Sequence, residues 1–103
     1  MELKEVEKFL KELNQDNISF DPHFYKRSGD RPINESMIRS FLSNFEKLEK
    51  IESGKEKGSR FKVWFKMSRK YSLVIIIEIN PPKDLKVISA WNSDRKWQDK
   101  LKQ

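Results

Sequence analysis

The residues of this chain best suited to chemistry stand together in Asp21-Pro22-His23-Phe24-Tyr25-Lys26-Arg27, with Arg31 a little further on. The sole histidine, His23, precedes Arg27 by four positions and Arg31 by eight. Asp is a favoured helix N-cap and Pro suits the first helical position, so a helix starting at Pro22 carries His23 in its first turn. Residues four apart share a helix face, which sets His23 and Arg27 side by side. An imidazole that exchanges a proton near neutral pH, beside a guanidinium that grips phosphate in bidentate fashion, is a workable start for RNA cleavage. The same residues also describe a capped helix start with a solvated basic face, and spacing alone leaves both readings open.

A second group of residues points to nucleic acid without requiring catalysis. Residues 54–70 carry seven basic side chains and one acidic, whereas residues 1–53 are net −2 and residues 71–103 net +2. One short segment thus matches the net +6 of the whole chain. Such clusters attract polyanions and release their counterions, so nucleic acid or an acidic protein segment is the expected partner; a solvated, Lys-rich loop and strand edge is the alternative. Within the segment, Trp64 alternates with Lys62 and Lys66, where an exposed indole stacks on a base for ~1–3 kcal/mol. A helix packed over that face would give Trp64 a purely structural role instead. Trp91 and Trp97 flank Arg95 and Lys96 in a further aromatic and basic mixture, although Trp97, with Leu101 four residues on, also fits a helix stripe packed on the sheet.

Positioning these residues falls to a series of short elements. Leu3, Val6, Phe9, Leu10 and Leu13 recur at helical spacing and predict an amphipathic helix over 2–14. The helix from Pro22 should stop near Gly29, and Pro32 leads extended chain to Asn34, the cap of a third helix whose buried stripe is Met37, Ile38, Phe41, Leu42 and Phe45. Beyond Leu48 the period changes. Leu48 to Ser53 is a weak strand candidate, and Gly54 to Gly58 reads as a Lys-rich connection. Arg60 to Met67 alternates strictly, with Phe61, Val63, Phe65 and Met67 on one face and Arg60, Lys62, Trp64 and Lys66 on the other. Ser68-Arg69-Lys70 turns the chain into Tyr71 to Ile79, apolar on both faces and so central in the sheet. After Asn80-Pro81-Pro82-Lys83-Asp84, a last strand spans Leu85 to Ala90, and Asn92 or Ser93 caps a closing helix that carries Arg95, Lys96, Trp97 and Leu101. The expected fold class is α+β: N-terminal helices, an antiparallel four-stranded meander and a C-terminal helix, in one domain over residues 1–103.

Length and inventory exclude much else. The 103 residues suit one modest core. No apolar run approaches the ~20 residues of a membrane-spanning helix. The opening Met-Glu-Leu-Lys-Glu lacks the order of a secretory signal, so a cytoplasmic location is expected. With one histidine and no cysteine, no familiar metal-ligand spacing exists, and neither metal nor cofactor is expected. Gly54 and Gly58 sit in GKEKG without the Lys-Ser or Lys-Thr of a phosphate-binding loop, and Ser68, Ser89 and Ser93 lack a nucleophile elbow.

The order of helices and meander, together with the spacing of His23, Arg27, Arg31 and Ile33, resembles the RelE-like ribonuclease toxins of the barnase, EndoU, colicin and RelE fold group. Within that group it is similar to a subfamily whose domains open with a His, an Arg four later, a further Arg and then a helix. The resemblance covers roughly residues 18–91. It implies metal-independent cleavage of RNA through attack by the ribose 2′-OH, often on the ribosome, under control of an acidic antitoxin protein. His23 would then serve as base or acid and Arg27 and Arg31 would hold the scissile phosphate. Arg69 or Arg95 would complete the charge clamp, with Tyr71 a second proton donor. Lys62, Trp64, Lys66, Arg69, Lys70 and Arg95 would bind the RNA. This chain departs from the better-known toxins in lacking a basic, tyrosine-bearing C-terminal strand. The rival expectation is a non-catalytic module of the same fold that binds RNA or an acidic partner.

Overall fold

The computed structural model describes residues 2–28, 33–53 and 59–94, without the side chains of residues 27 and 28. Along the chain run α1 (Leu3–Lys11), β1 (Ile18–Phe20), α2 (Pro22–Ser28), α3 (Glu35–Leu42), β2 (Leu48–Ser53), β3 (Arg60–Lys66), β4 (Tyr71–Asn80) and β5 (Asp84–Asp94). Single 3₁₀ turns at Gln15–Asn17 and Phe45–Lys47 lead into β1 and β2.

Local chemistry sets the helix starts. The Glu2 N–H donates to the Glu5 carboxylate at 3.3 Å, and Lys8 and Lys11 face the negative end of α1. Asp21 Oδ1 accepts the His23 N–H at 2.9 Å at the head of α2, and Asn34 Oδ1 accepts the Met37 N–H at 2.9 Å at the head of α3. Two helices are shorter than their apolar stripes suggest. Leu13 lies beyond the end of α1, and Phe45 belongs to the 3₁₀ turn after α3, yet both still pack against the core.

The sheet corrects the expected topology. It has five strands in the order β1-β5-β4-β3-β2, and it is mixed: β1 pairs in parallel with β5, through Ile18 with Leu85 and Phe20 with Val87, while every other pair is antiparallel. The antiparallel meander of β2 to β5 is therefore only part of the sheet. Ile18-Ser19-Phe20 is too short to establish a period, and it becomes a strand only because β5 offers it a ladder. A second correction concerns the end of β5. Asn92 and Ser93 were expected to cap a helix, but Trp91, Ser93 and Asp94 continue the ladder opposite Val74, Ser72 and Tyr71. Ladder bonds and cross-strand packing override the capping tendency of Asn and Ser here. The expected closing helix, with Arg95, Lys96, Trp97 and Leu101, lies outside the described residues, as does the Gly54 to Gly58 connection.

β4 occupies the middle of the sheet, as its unbroken apolar run requires. One face of the sheet presents Phe61, Val63, Phe65, Leu73, Ile75 and Ile77 to Val6, Leu10, Phe24, Ile38 and Leu42 of the helices, forming a single core. Val74 and Ile88, also buried, stand on the opposite face outside that core. None of the three described helices packs on that second face. No helix among the described residues is long and apolar enough to cross a membrane.

Candidate nucleic-acid interface

Strand parity and register build the second face of the sheet, on which no described helix packs. β3 directs Arg60, Lys62, Trp64 and Lys66 to it, and its antiparallel pairing sets Trp64 beside Val74 and Lys62 beside Ile76. β5 then sets Trp91 on the other flank of Val74 and Ser89 on the other flank of Ile76. Two indoles thus stand on either side of one valine, with a lysine and a serine in the adjacent row. The Lys62 ammonium lies 6.0 Å from the centre of the Trp64 ring and 5.7 Å from that of Trp91, so it straddles both. Lys50 reaches Trp64 from β2 at 5.6 Å.

The charges on this face divide into paired and unpaired groups. Lys50 bonds Glu52 at 2.6 Å, Arg60 bonds Glu78 at 3.2 Å, and Ser72 donates to Glu49 at 2.7 Å. Among the described residues, no carboxylate forms an ion pair with Lys62, Lys66 or Lys86. Among the described residues, two side-chain polar atoms are fully covered and make no hydrogen bond: Trp64 Nε1 and Ser89 Oγ. Buried polar groups are nearly always satisfied, and each one left unpaired costs about 1–3 kcal/mol.

The β3–β4 turn adds cations at one end of the sheet. Ser68 Oγ accepts the N–H groups of Lys70 and Tyr71 at 3.2 Å each, and the Tyr71 carbonyl accepts those of Met67 and Ser68. Arg69 and Lys70 are exposed on this closed turn.

The residues expected to catalyse fall elsewhere. His23 is exposed in the first turn of α2; its backbone N–H is fixed by Asp21, and its imidazole makes no hydrogen bond among the described residues. Phe24 roots that helix in the core, so His23 belongs to the helix-covered side of the sheet. Tyr71 is exposed at the start of β4, in the same parity as Leu73 and Ile75 and therefore also turned away from Lys62 and Trp64. The Arg27 side chain, Arg31 and Arg95 lie outside the described residues. His23 and Tyr71 accordingly sit on one side, and Lys62, Trp64 and Lys66 on the other.

Sequence reasoning set Trp91 beside Arg95 and Lys96 rather than beside Trp64, and it missed Ser89 and Arg39. Trp91 joins Trp64 only through the pairing of β4 with both neighbours, which no local pattern reports. Ser89 carried no signal beyond its alternation with Trp91. Arg39 donates to the carbonyls of Gln15 at 2.9 Å and Ile18 at 3.2 Å and lies over the Phe20 ring, fastening α3 to β1. Two shallow clefts, where α1 meets the β4–β5 turn and where α1 meets β2, are lined by none of the predicted site residues. No group of three or more His, Asp or Glu side chains that could hold a metal ion occurs among the described residues. Comparison with protein-family models, curated proteins and solved structures finds no match for this chain.

Proposed function

We propose that this protein binds single-stranded RNA on the face of its sheet that carries Lys62, Trp64 and Trp91. The observation that carries the reading is the Lys62 ammonium astride Trp64 and Trp91. An ammonium over an exposed indole is stabilised by about 0.5–1 kcal/mol, whereas a base stacked on an aromatic ring gains ~1–3 kcal/mol. Incoming bases therefore displace the lysine from the rings, and its charge moves to a neighbouring phosphate. Lys66 and Lys86 on the same face, and Arg69 and Lys70 on the turn, extend the phosphate track. Titration of an unstructured oligoribonucleotide should quench tryptophan fluorescence, and Trp64→Ala and Trp91→Ala should each weaken binding about tenfold or more. Unchanged affinity in both variants would move the site off this face.

Cleavage of RNA held on the opposite, helix-bearing side is the second reading, favoured by the exposed imidazole of His23, which makes no hydrogen bond among the described residues, at the anchored head of α2. In this scheme His23 exchanges a proton with the ribose 2′-OH while Arg27 and Arg31 hold the phosphate. His23→Ala should then lower cleavage by ~10²–10⁴-fold and spare RNA affinity. The product should end in a cyclic phosphate, form in the presence of a chelator, and vanish when the 2′-OH at the cut site is replaced by hydrogen. Firm binding without cleavage of naked or ribosome-bound RNA would leave a non-catalytic RNA-binding module.

A further inference from the structure

We infer that the outer edge of β2 is a self-complementary surface on which a second copy of this chain docks, joining two five-stranded sheets into one. β2 is the outermost strand beside β3, and the outward backbone groups of residues 50–53 meet no partner among the described residues. An open edge of this kind is a template for another strand, and proteins usually guard it with charges and bulges. Here the ladder slips between Leu48 and Lys50, and the Lys50 and Glu52 side chains stand 51% and 37% exposed on the side of the sheet that bears Trp64. Those guards bar most pairings and admit one.

Symmetry identifies it. A two-fold axis perpendicular to the sheet pairs the two copies of β2 antiparallel and keeps each face continuous, so only residues of like parity come opposite one another. Centred on Lys50, the pairing sets lysine against lysine; centred on Glu52, it sets glutamate against glutamate. Like charges directly opposite destabilise a ladder. Centred on Ile51, it sets each Lys50 opposite the partner's Glu52, giving two unlike pairs related by the axis. In the free chain Lys50 bonds Glu52 within its own strand, and docking exchanges those internal contacts for contacts across the axis. On the other face Ile51 meets the partner's Ile51, beside the cleft where α1 meets β2 and where Phe45 and Leu48 are also half-buried. Leu3 stands one helical turn before Glu7, which lines that cleft, and at 45% exposed it extends the apolar border. The other edge of the sheet, β1, is three residues long and uncharged, so it has neither the length nor the charge pattern to fix a register.

Sedimentation velocity from about 1 µM to 1 mM checks the proposal, since so short a seam gives an affinity in that range. The wild type should pass from monomer to dimer as its concentration rises. Lys50→Glu sets glutamate against glutamate and Glu52→Lys sets lysine against lysine, so each variant alone should weaken dimerisation about tenfold or more. An equimolar mixture of the two restores both unlike pairs and should associate within about threefold of the wild type, as should the double variant Lys50→Glu, Glu52→Lys. Circular dichroism melts verify folding, and the mixture guards the test, because a variant that failed to fold would not be rescued by its counterpart. A wild type that stays monomeric throughout overturns the proposal and leaves the edge to a strand of a different protein. Dimers that persist in both single variants overturn it as well, by placing the contact elsewhere. So does a mixture no tighter than its components, which would confine the charges at 50 and 52 to one copy.

Discussion

Tyr25 ties two helices together with a single hydroxyl: its O–H donates to Glu35 Oε1, joining α2 to the first turn of α3. The hydrogen bond to Glu35, followed by desolvation and the charge of that carboxylate, raises the Tyr25 pKa above its usual 10.0. Because the folded state favours the protonated phenol, the contribution is complete below the unfolded value and is lost as pH rises through the higher folded one. The melting temperature of the wild type should therefore fall more steeply above pH 10 than that of Tyr25→Phe, and the two curves should run parallel below pH 9. A buried residue behaves differently. Ile77, fully buried in the central strand, should not tolerate Ile77→Asp, since an unpaired charge there costs more than about 4 kcal/mol in a domain whose whole stability is roughly 5–15 kcal/mol. Lys62→Asp, on the face where no described helix packs, should leave the fold intact. Circular dichroism melts of both would expose an error in strand parity by reversing that order.

At the scale of elements, β1 depends on partners outside itself. Three residues cannot hold a strand on their own, and this one is secured by the β5 ladder, by the Asp21 N–H donating to the Val87 carbonyl at 2.8 Å, and by the Arg39 guanidinium. Arg39→Ala should cost about 2–3 kcal/mol through two lost charged hydrogen bonds and the contact with Phe20. Hydrogen exchange should accelerate first at Asp21 and Phe20, before β3 or β4 responds. The same dependence explains what the sequence could and could not disclose. β3 was legible because Phe61, Val63 and Phe65 alternate with Lys62, Trp64 and Lys66, and β4 because Leu73 to Ile77 admits no polar residue. Asn34 and Asp21 announced two helix starts by side-chain chemistry alone. β1 was hidden because its evidence lies in β5, and the last four residues of β5 were hidden because Asn92 and Ser93 suit a cap as well as a ladder. The candidate site was half legible for the same reason: local alternation joined Lys62 to Trp64, whereas Trp91 and Ser89 enter only through register.

At the scale of the whole molecule, the uneven charge predicts how binding responds to salt. If Lys62 and Lys66 each meet a phosphate, the double variant Lys62→Glu, Lys66→Glu should weaken every RNA sequence alike and flatten the log-log salt dependence by roughly 1.4. A slope equal to that of the wild type would mean that neither lysine touches the backbone.

The position of β5 in the sheet also constrains when the fold can form. Ile18 finds its ladder partner in Leu85, and β5 lies between β1 and β4 although it is the last of the described strands to be synthesised. A nascent chain that has emerged only as far as β4 can pair β2, β3 and β4 into a meander, but its first strand has nothing to join. The edge of β4 that will later receive β5 meanwhile stays open, with its N–H and C=O groups unpaired and its apolar side chains accessible to other strands. Any delay between the folding of β2 to β4 and the arrival of β5 would prolong that vulnerable state, and docking of β5 would close the open edge and recruit β1 in one step.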